Sequence, residues 1–220
     1  MAGTTIDDHG AVYEALREAV EETGATVANS DLQLWMGTDK VTAIGALMEL
    51  GGQTQEPNRV ATAFERFRAI LAQSYRDVPP VALPGVEAAL RELQARGILI
   101  SLTTGFDDSV ALPLLASLGW TVGEGREHLL DAVVTTSQVT AGRPAPYLIH
   151  HAMEITGVTD VRQVLAAGDT AVDLLAAYNA GVIGVGVLTG ALDWAALAAN
   201  PHDHILESVA ELPGLPETQK

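Results

Sequence analysis

From Val86 onward the chain alternates helical patterns with short apolar runs, and this alternation restricts its fold more than any other feature. The spacing predicts helices over 86–96, 107–118, 146–156 and 171–180, and strands over 98–103, 132–135, 164–167, 182–187 and 204–206. Strands that alternate with helices are βαβ units. They build a parallel sheet with helices on both faces, an α/β fold. The residues before Pro84-Gly85 read differently. Val12, Leu16, Ala19 and Val20 form one apolar stripe ending at Gly24, a second helix is predicted over 40–50, and a third over 60–75 ahead of Pro79-Pro80. The expected organisation is an α/β core of 1–10 and 83–220 that carries a helical insert of 11–82.

Composition narrows the partners. The chain holds 28 acidic and 12 basic residues, a formal net charge of −16, and no basic cluster offsets that field. Nucleic acid and anionic membranes are therefore not expected partners. No stretch reads as a membrane span, and no signal pattern opens the chain, so the cytoplasm is the default location. Absence of cysteine excludes disulfides and thiolate metal sites. An anionic substrate then needs a small cationic focus: a metal ion with one or two Lys or Arg.

In a parallel sheet, ligands bind beyond the carboxyl ends of the strands. The most informative end is Gly168-Asp169-Thr170, with Asp173 one helical turn on. Two carboxylates so spaced are hard oxygen donors of the kind Mg²⁺ takes. Asp and Thr before a helix also serve simply as caps. Thr104-Gly105 ends another strand with a hydroxyl and a free backbone amide, donors for a phosphoryl oxygen or an ordinary turn. Arg143 stands in a Gly-Arg-Pro frame, a fork for phosphate oxygens or a solvated turn residue. Ala2-Gly3-Thr4-Thr5 adds a fourth turn of small and hydroxyl residues.

The order of these motifs resembles the haloacid dehalogenase (HAD) superfamily of Mg²⁺-dependent phosphoryl-transfer hydrolases, whose fold is a Rossmannoid parallel sheet with an inserted helical cap. Thr104 matches its second motif, Arg143 its third, and Asp169 with Asp173 its fourth. The first motif, strand-Asp-x-Asp-Gly-Thr, is present only as its tail. Met1-Ala2-Gly3-Thr4-Thr5 looks like the phosphonatase pattern Asp-x-Ala-Gly-Thr-Thr, which puts the nucleophilic Asp just ahead of Met1. Two explanations stay open, an internal Met taken as the start or a truly short product, and the retained residues favour the first. As written, the chain is expected to lack a strand from the middle of its sheet and to be catalytically crippled.

The phosphonatase branch is implied by Ala2, which replaces the acid that protonates the leaving oxygen in HAD phosphatases; a methyl group cannot do so. Phosphonoacetaldehyde hydrolases instead use a cap lysine that forms a Schiff base with the aldehyde. Met36-x-x-x-Lys40 resembles that spacing, which makes Lys40 the candidate amine. A solvated helix residue and a phosphate contact are its other readings. The doubled Thr103-Thr104 and the Arg at Arg143 agree with the branch, whereas Ala43 and Phe106 stand where phosphonatases carry His and Tyr.

The resemblance implies a small phosphonate or phosphorylated metabolite as substrate, attacked through an aspartyl-phosphate intermediate. Mg²⁺ would be held by the upstream Asp, the Ala2 carbonyl, Asp169 and Asp173, the last directly or through water. Gly3, Thr4, Thr104, Gly105, Arg143 and Lys40 would bind the substrate, and Lys40, Thr104 and Arg143 would act in catalysis. A homodimer stays open. So do two rivals: a HAD phosphomonoesterase of the phosphoglycolate-phosphatase or phosphoglucomutase kind, and a non-catalytic protein that kept the fold.

Overall fold

The alternating segments fold into parallel ladders. A computed structural model describes residues 1–219 of the chain. In order, its elements are β1 (Ile6–Asp7), α1 (Ala11–Glu21), α2 (Asn29–Leu34), α3 (Lys40–Leu50), α4 (Pro57–Asp77), β2 (Val81–Ala82), α5 (Val86–Ala95), β3 (Ser101–Thr103), α6 (Asp108–Ser117), β4 (Ala132–Val134), α7 (Tyr147–Thr156), β5 (Leu165–Gly168), α8 (Ala171–Ala180), β6 (Ile183–Val187), α9 (Trp194–Ala198) and β7 (His204–Leu206). Short 3₁₀ turns close the chain at Val209–Gly214 and Pro216–Thr218. No helix among the described residues is long and apolar enough to cross a membrane.

The chain divides into two compact units. One runs from Asp8 to Pro80; the other joins Met1–Asp7 to everything from Val81 onward. The first is helical. In α1 the stripe of Val12, Leu16, Ala19 and Val20 is buried, and α1 packs on α4 around Phe67 and Leu71. Each Val, Leu or Phe side chain so taken out of water contributes about 1.5–3 kcal/mol. Helix α4 is longer at both ends than its apolar stripe suggests. Pro57 fits its first turn, where no intrahelical N–H bond is needed, and the helix runs on to Asp77 before Pro79-Pro80. Helix α2 was not expected, because Leu32 is its one buried residue and no stripe marks it.

In the second unit β3 pairs in parallel with β4, and β5, β6 and β7 form a second parallel ladder in that order. The register sets Leu102 beside Val133 and Ala167 beside Val185. Short antiparallel β1 and β2 join Ile6 to Ala82. Strand β3 starts three residues later than its apolar run. Gly97, at φ 80°, and Ile98 turn back to close α5, donating their amides to Gln94 and Leu93 at 2.9 and 3.1 Å. Helix α7 covers β3 and β4, α8 covers β5 and β6, and the two helices pack on each other. They form one layer over both ladders. Among the described residues β3 has β4 as its sole strand partner and β5 has β6, so each retains one unpaired edge. Leu165, Ala166 and Ala167 of β5 are only half-buried in consequence.

Candidate active site

The carboxyl end of β5 delivers Asp169 into the protein, where it is 3% exposed. A carboxylate so buried needs a partner, and Thr4 supplies one: its Oγ donates to Asp169 Oδ1 at 2.5 Å. Two glycines press on the other oxygen. A Cβ placed on either Gly3 or Gly190 would overlap Asp169 Oδ2, so both positions are restricted to glycine by the close approach of backbone to carboxylate. Gly3 also lies at φ 77°.

The turn that carries Gly3 and Thr4 is tightly wound. The Met1 carbonyl accepts the amides of Thr4, Thr5 and Ile6, while the Gly3 amide donates to the Ile6 carbonyl at 2.9 Å. Thr189, in the loop after β6, donates its hydroxyl to the Gly3 carbonyl at 2.6 Å. Ala2, Gly3, Thr4 and Asp169 are thus brought together, and the Thr189-Gly190 loop joins them.

Asp173 is engaged on both oxygens. Oδ2 accepts the Thr170 amide at 3.1 Å and its hydroxyl, a reciprocal cap on the first turn of α8, while Oδ1 forms an ion pair with Nη1 of Arg143. Both side chains are about nine-tenths buried. Gly168 makes the arrangement feasible, since a Cβ there would overlap Asp173. The cap reading of this segment is realised by Thr170 and Asp173, while Asp169 takes no part in the cap.

Thr104 is buried at the end of β3, where its Oγ accepts the Phe106 amide at 3.1 Å and its own amide reaches Val134. Its bonds run along its own ladder rather than to Asp169 or Arg143. The loop from Thr104 through Gly105 to Phe106 is braced from β4. Thr136 donates to the Phe106 carbonyl at 3.0 Å, Thr135 Oγ to Asp108 Oδ1 at 2.5 Å, and the Asp108 amide to Ser137 Oγ at 3.1 Å.

Lys40, in the helical unit, is the first residue of α3 behind its Asp39 cap. It is 7% exposed, and its Nζ donates to the Thr38 carbonyl at 3.0 Å. A solvated helix residue is not what it is. Ala43, one turn on, is fully buried. His9, at φ 56° just before α1, is exposed. Asp8 caps α1 through the Gly10 and Val12 amides, and Asp7 lies in the β1 ladder opposite Val81.

Sequence reasoning missed Thr189, Gly190 and the Asp108–Thr135 brace. One signal was available: Thr189-Gly190 repeats, after β6, the Thr104-Gly105 pair that follows β3. Among the described residues no three His, Cys, Asp or Glu side chains converge as a metal cage. Asp169, a buried carboxylate beside the Gly3-Thr4 turn, is a hard oxygen donor of the kind that suits an ion whose other ligands are waters and substrate oxygens.

Comparison with known proteins fits this geometry. A family model described as haloacid dehalogenase-like hydrolase matches residues 1–181, from the N-terminal turn to the end of α8. The phosphonoacetaldehyde hydrolase of Lactiplantibacillus plantarum is 30% identical over 253 aligned residues, covering 97% of this chain and 92% of that protein. The crystal structure of a hydrolase from Pseudomonas syringae superposes with a TM-score of 0.84 at 22% identity, covering 97% of this chain and 93% of the other. That of a phosphonoacetaldehyde hydrolase-like protein from Oleispira antarctica gives 0.80 at 22% identity, covering 97% and 87%. With its strand ends, its Asp169–Asp173 segment and a family model over most of its length in agreement, the chain belongs to the haloacid dehalogenase-like hydrolases.

Proposed function

We propose that the protein is a phosphonatase-like hydrolase that cleaves a carbon–phosphorus bond next to a carbonyl carbon. The observation that carries this reading is a pairing of residues: Ala2 stands where an ester-cleaving relative needs a proton donor, and Lys40 is a buried amine. Cleaving an ester requires a proton for the leaving oxygen. Cleaving a C–P bond requires a place for the bonding electrons. An imine provides that place. The Lys40 amine adds to the aldehyde carbon and water leaves, giving an iminium. When the P–C bond breaks, its electron pair moves onto carbon as an enamine, which takes up a proton and is hydrolysed to release the amine and acetaldehyde.

The phosphoryl group passes in line to a carboxylate, and water then frees it as phosphate. We assign that carboxylate to the position before Met1, on a strand that the unpaired edges of β3 and β5 would accept. Asp8 is committed to capping α1 and Asp7 to the β1 ladder, so neither is the nucleophile in this reading. Thr104 Oγ, the Gly105 amide, Arg143 and the Gly3-Thr4 turn would hold the phosphoryl oxygens. Mg²⁺ held by Asp169 and the Ala2 carbonyl, with Asp173 reaching it through water, would offset the charge between carboxylate and phosphoryl group.

Imine formation needs only the amine and the aldehyde, so the 220-residue chain itself tests the reading. Borohydride added with phosphonoacetaldehyde should leave a secondary amine that peptide mapping places on Lys40. Lys40→Arg should show no adduct. Equal labelling of the Lys40→Arg variant would remove the imine role and return Lys40 to phosphate binding.

A further inference from the structure

The loop after β6 enters the site from a position that no catalytic motif covers. Two hydrogen bonds fix the Gly3 residue from opposite sides: its amide donates to the Ile6 carbonyl at 2.9 Å, and its carbonyl accepts Thr189 Oγ at 2.6 Å. The Ala2–Gly3 peptide is trans, since Arg143–Pro144 is the one cis bond among the described residues. In a planar trans peptide the carbonyl points away from the N–H of the same unit. The Gly3–Ile6 bond therefore sets the direction of the Ala2 carbonyl, while the Thr189 bond falls on the next peptide, Gly3–Thr4, and fixes the unit that presents Thr4 to Asp169. The same loop closes on Asp169. Gly190 lies so near that carboxylate that a side chain on it would overlap Oδ2, as would one on Gly3 from the opposite turn. Gly190 has no positive φ to account for its identity, so proximity is the reason for it.

We infer that Thr189 is a positioning residue of the cation site: its hydroxyl fixes the Gly3–Thr4 peptide, so that Thr4 holds the Asp169 carboxylate, and Gly190 beside it keeps that carboxylate in place. The inference rests on the proposed reading of Ala2 and Asp169 as oxygen donors to Mg²⁺. It adds a third strand end, that of β6, to those of β3 and β5. A hydroxyl is the group required, because the Gly3 carbonyl offers only lone pairs. Valine has nearly the shape of threonine and cannot donate; serine can.

The test is a calorimetric titration of the full chain with Mg²⁺ alone, together with melting temperatures measured without metal. Thr189→Val should weaken Mg²⁺ binding by about tenfold, the order expected for losing one hydrogen bond that orients a ligand. Thr189→Ser should return it to within about twofold of the unsubstituted chain. Gly190→Ala should abolish binding by displacing Asp169. A merely structural Thr189 would lower the metal-free melting temperature and leave the Mg²⁺ affinity where it was, and that result overturns the inference. If Asp169→Asn abolishes binding while Thr189→Val binds as tightly as the unsubstituted chain, the cation site stands and the role of Thr189 falls. If the unsubstituted chain and Asp169→Asn titrate alike, the cation reading fails and the inference falls with it.

Discussion

Arg143 and Asp173 meet as a buried ion pair although thirty positions separate them in the chain. Arg143 comes from the Gly/Pro segment ahead of α7, Asp173 from the first turn of α8. The pair ties together the two helices that cover the ladders. Its second consequence is chemical. An Asp173 already engaged by Arg143 and Thr170 anchors the loop that carries Asp169, which leaves it a role at the proposed ion through water rather than by direct ligation.

Removing one partner of a buried pair leaves the other charge uncompensated, which costs about 3–5 kcal/mol. Arg143→Ala and Asp173→Ala should each lower stability by that order in urea unfolding. The double variant should lose clearly less than the sum, because the charge left unpaired by each single change is then gone. Strict additivity would mean that the two side chains do not depend on each other.

Thr4 and Asp169, 165 positions apart in the chain, make a second test. The bond at 2.5 Å joins a hydroxyl to a buried carboxylate, a class worth about 1.5–3 kcal/mol. Thr4→Val should cost that much in metal-free stability, and Thr4→Ser should recover most of it. Chelation should abolish turnover in a form that carries the nucleophile, and Mg²⁺ should restore it; full activity in EDTA would end the metal assignment. Asp169→Asn should be nearly inactive at any Mg²⁺ concentration.

Much of this arrangement was legible before any coordinates. Helices α3 and α8 occupy the residues that their glycine stops and apolar patterns predict, and the strands follow from short apolar runs between helices. Local rules see these features because each is decided within one or two turns. What they do not see is proximity. Thr189 is 186 positions from Gly3, and no residue near either one announces the bond between them. The same holds for Asp108 and Thr135, which look like ordinary cap residues until the two loops are set side by side. Helix α9 escaped for another reason: with Leu197 as its one buried residue it has no stripe.

Tyr75 yields a pH prediction within the helical unit. Its hydroxyl is buried; burial first, then the negative charge of the Asp8 carboxylate, push its pKa well above that of ordinary tyrosine. The raised value means the folded state keeps the proton after the unfolded chain begins to lose it, near pH 10. The contribution is complete below that pH and declines as pH rises through it. Alkaline unfolding should therefore steepen above about pH 10, and Tyr75→Phe should flatten that part of the curve. Identical slopes in the two proteins would show that Tyr75 ionises as freely folded as unfolded.

The unpaired edges of β3 and β5 lead to the last prediction. A parallel strand with a partner on one side leaves half of its backbone donors and acceptors without a ladder bond, and its side chains are covered by one neighbouring strand rather than two. Leu165–Ala167 show the second effect, being half-buried in a sheet that α8 covers from above. In hydrogen exchange, the β3 and β5 amides not used by β4 and β6 should exchange quickly in the 220-residue chain, while those within the β5–β6 ladder stay protected. A chain carrying in-frame residues ahead of Met1 that end in an apolar run and Asp should protect the fast set, melt higher and gain turnover together. These gains have one cause, since the strand that would fill the edges also carries the proposed nucleophile. Turnover in the 220-residue chain equal to that of the extended form would place the nucleophile elsewhere. Protection without turnover would keep the strand and remove the Asp from the mechanism.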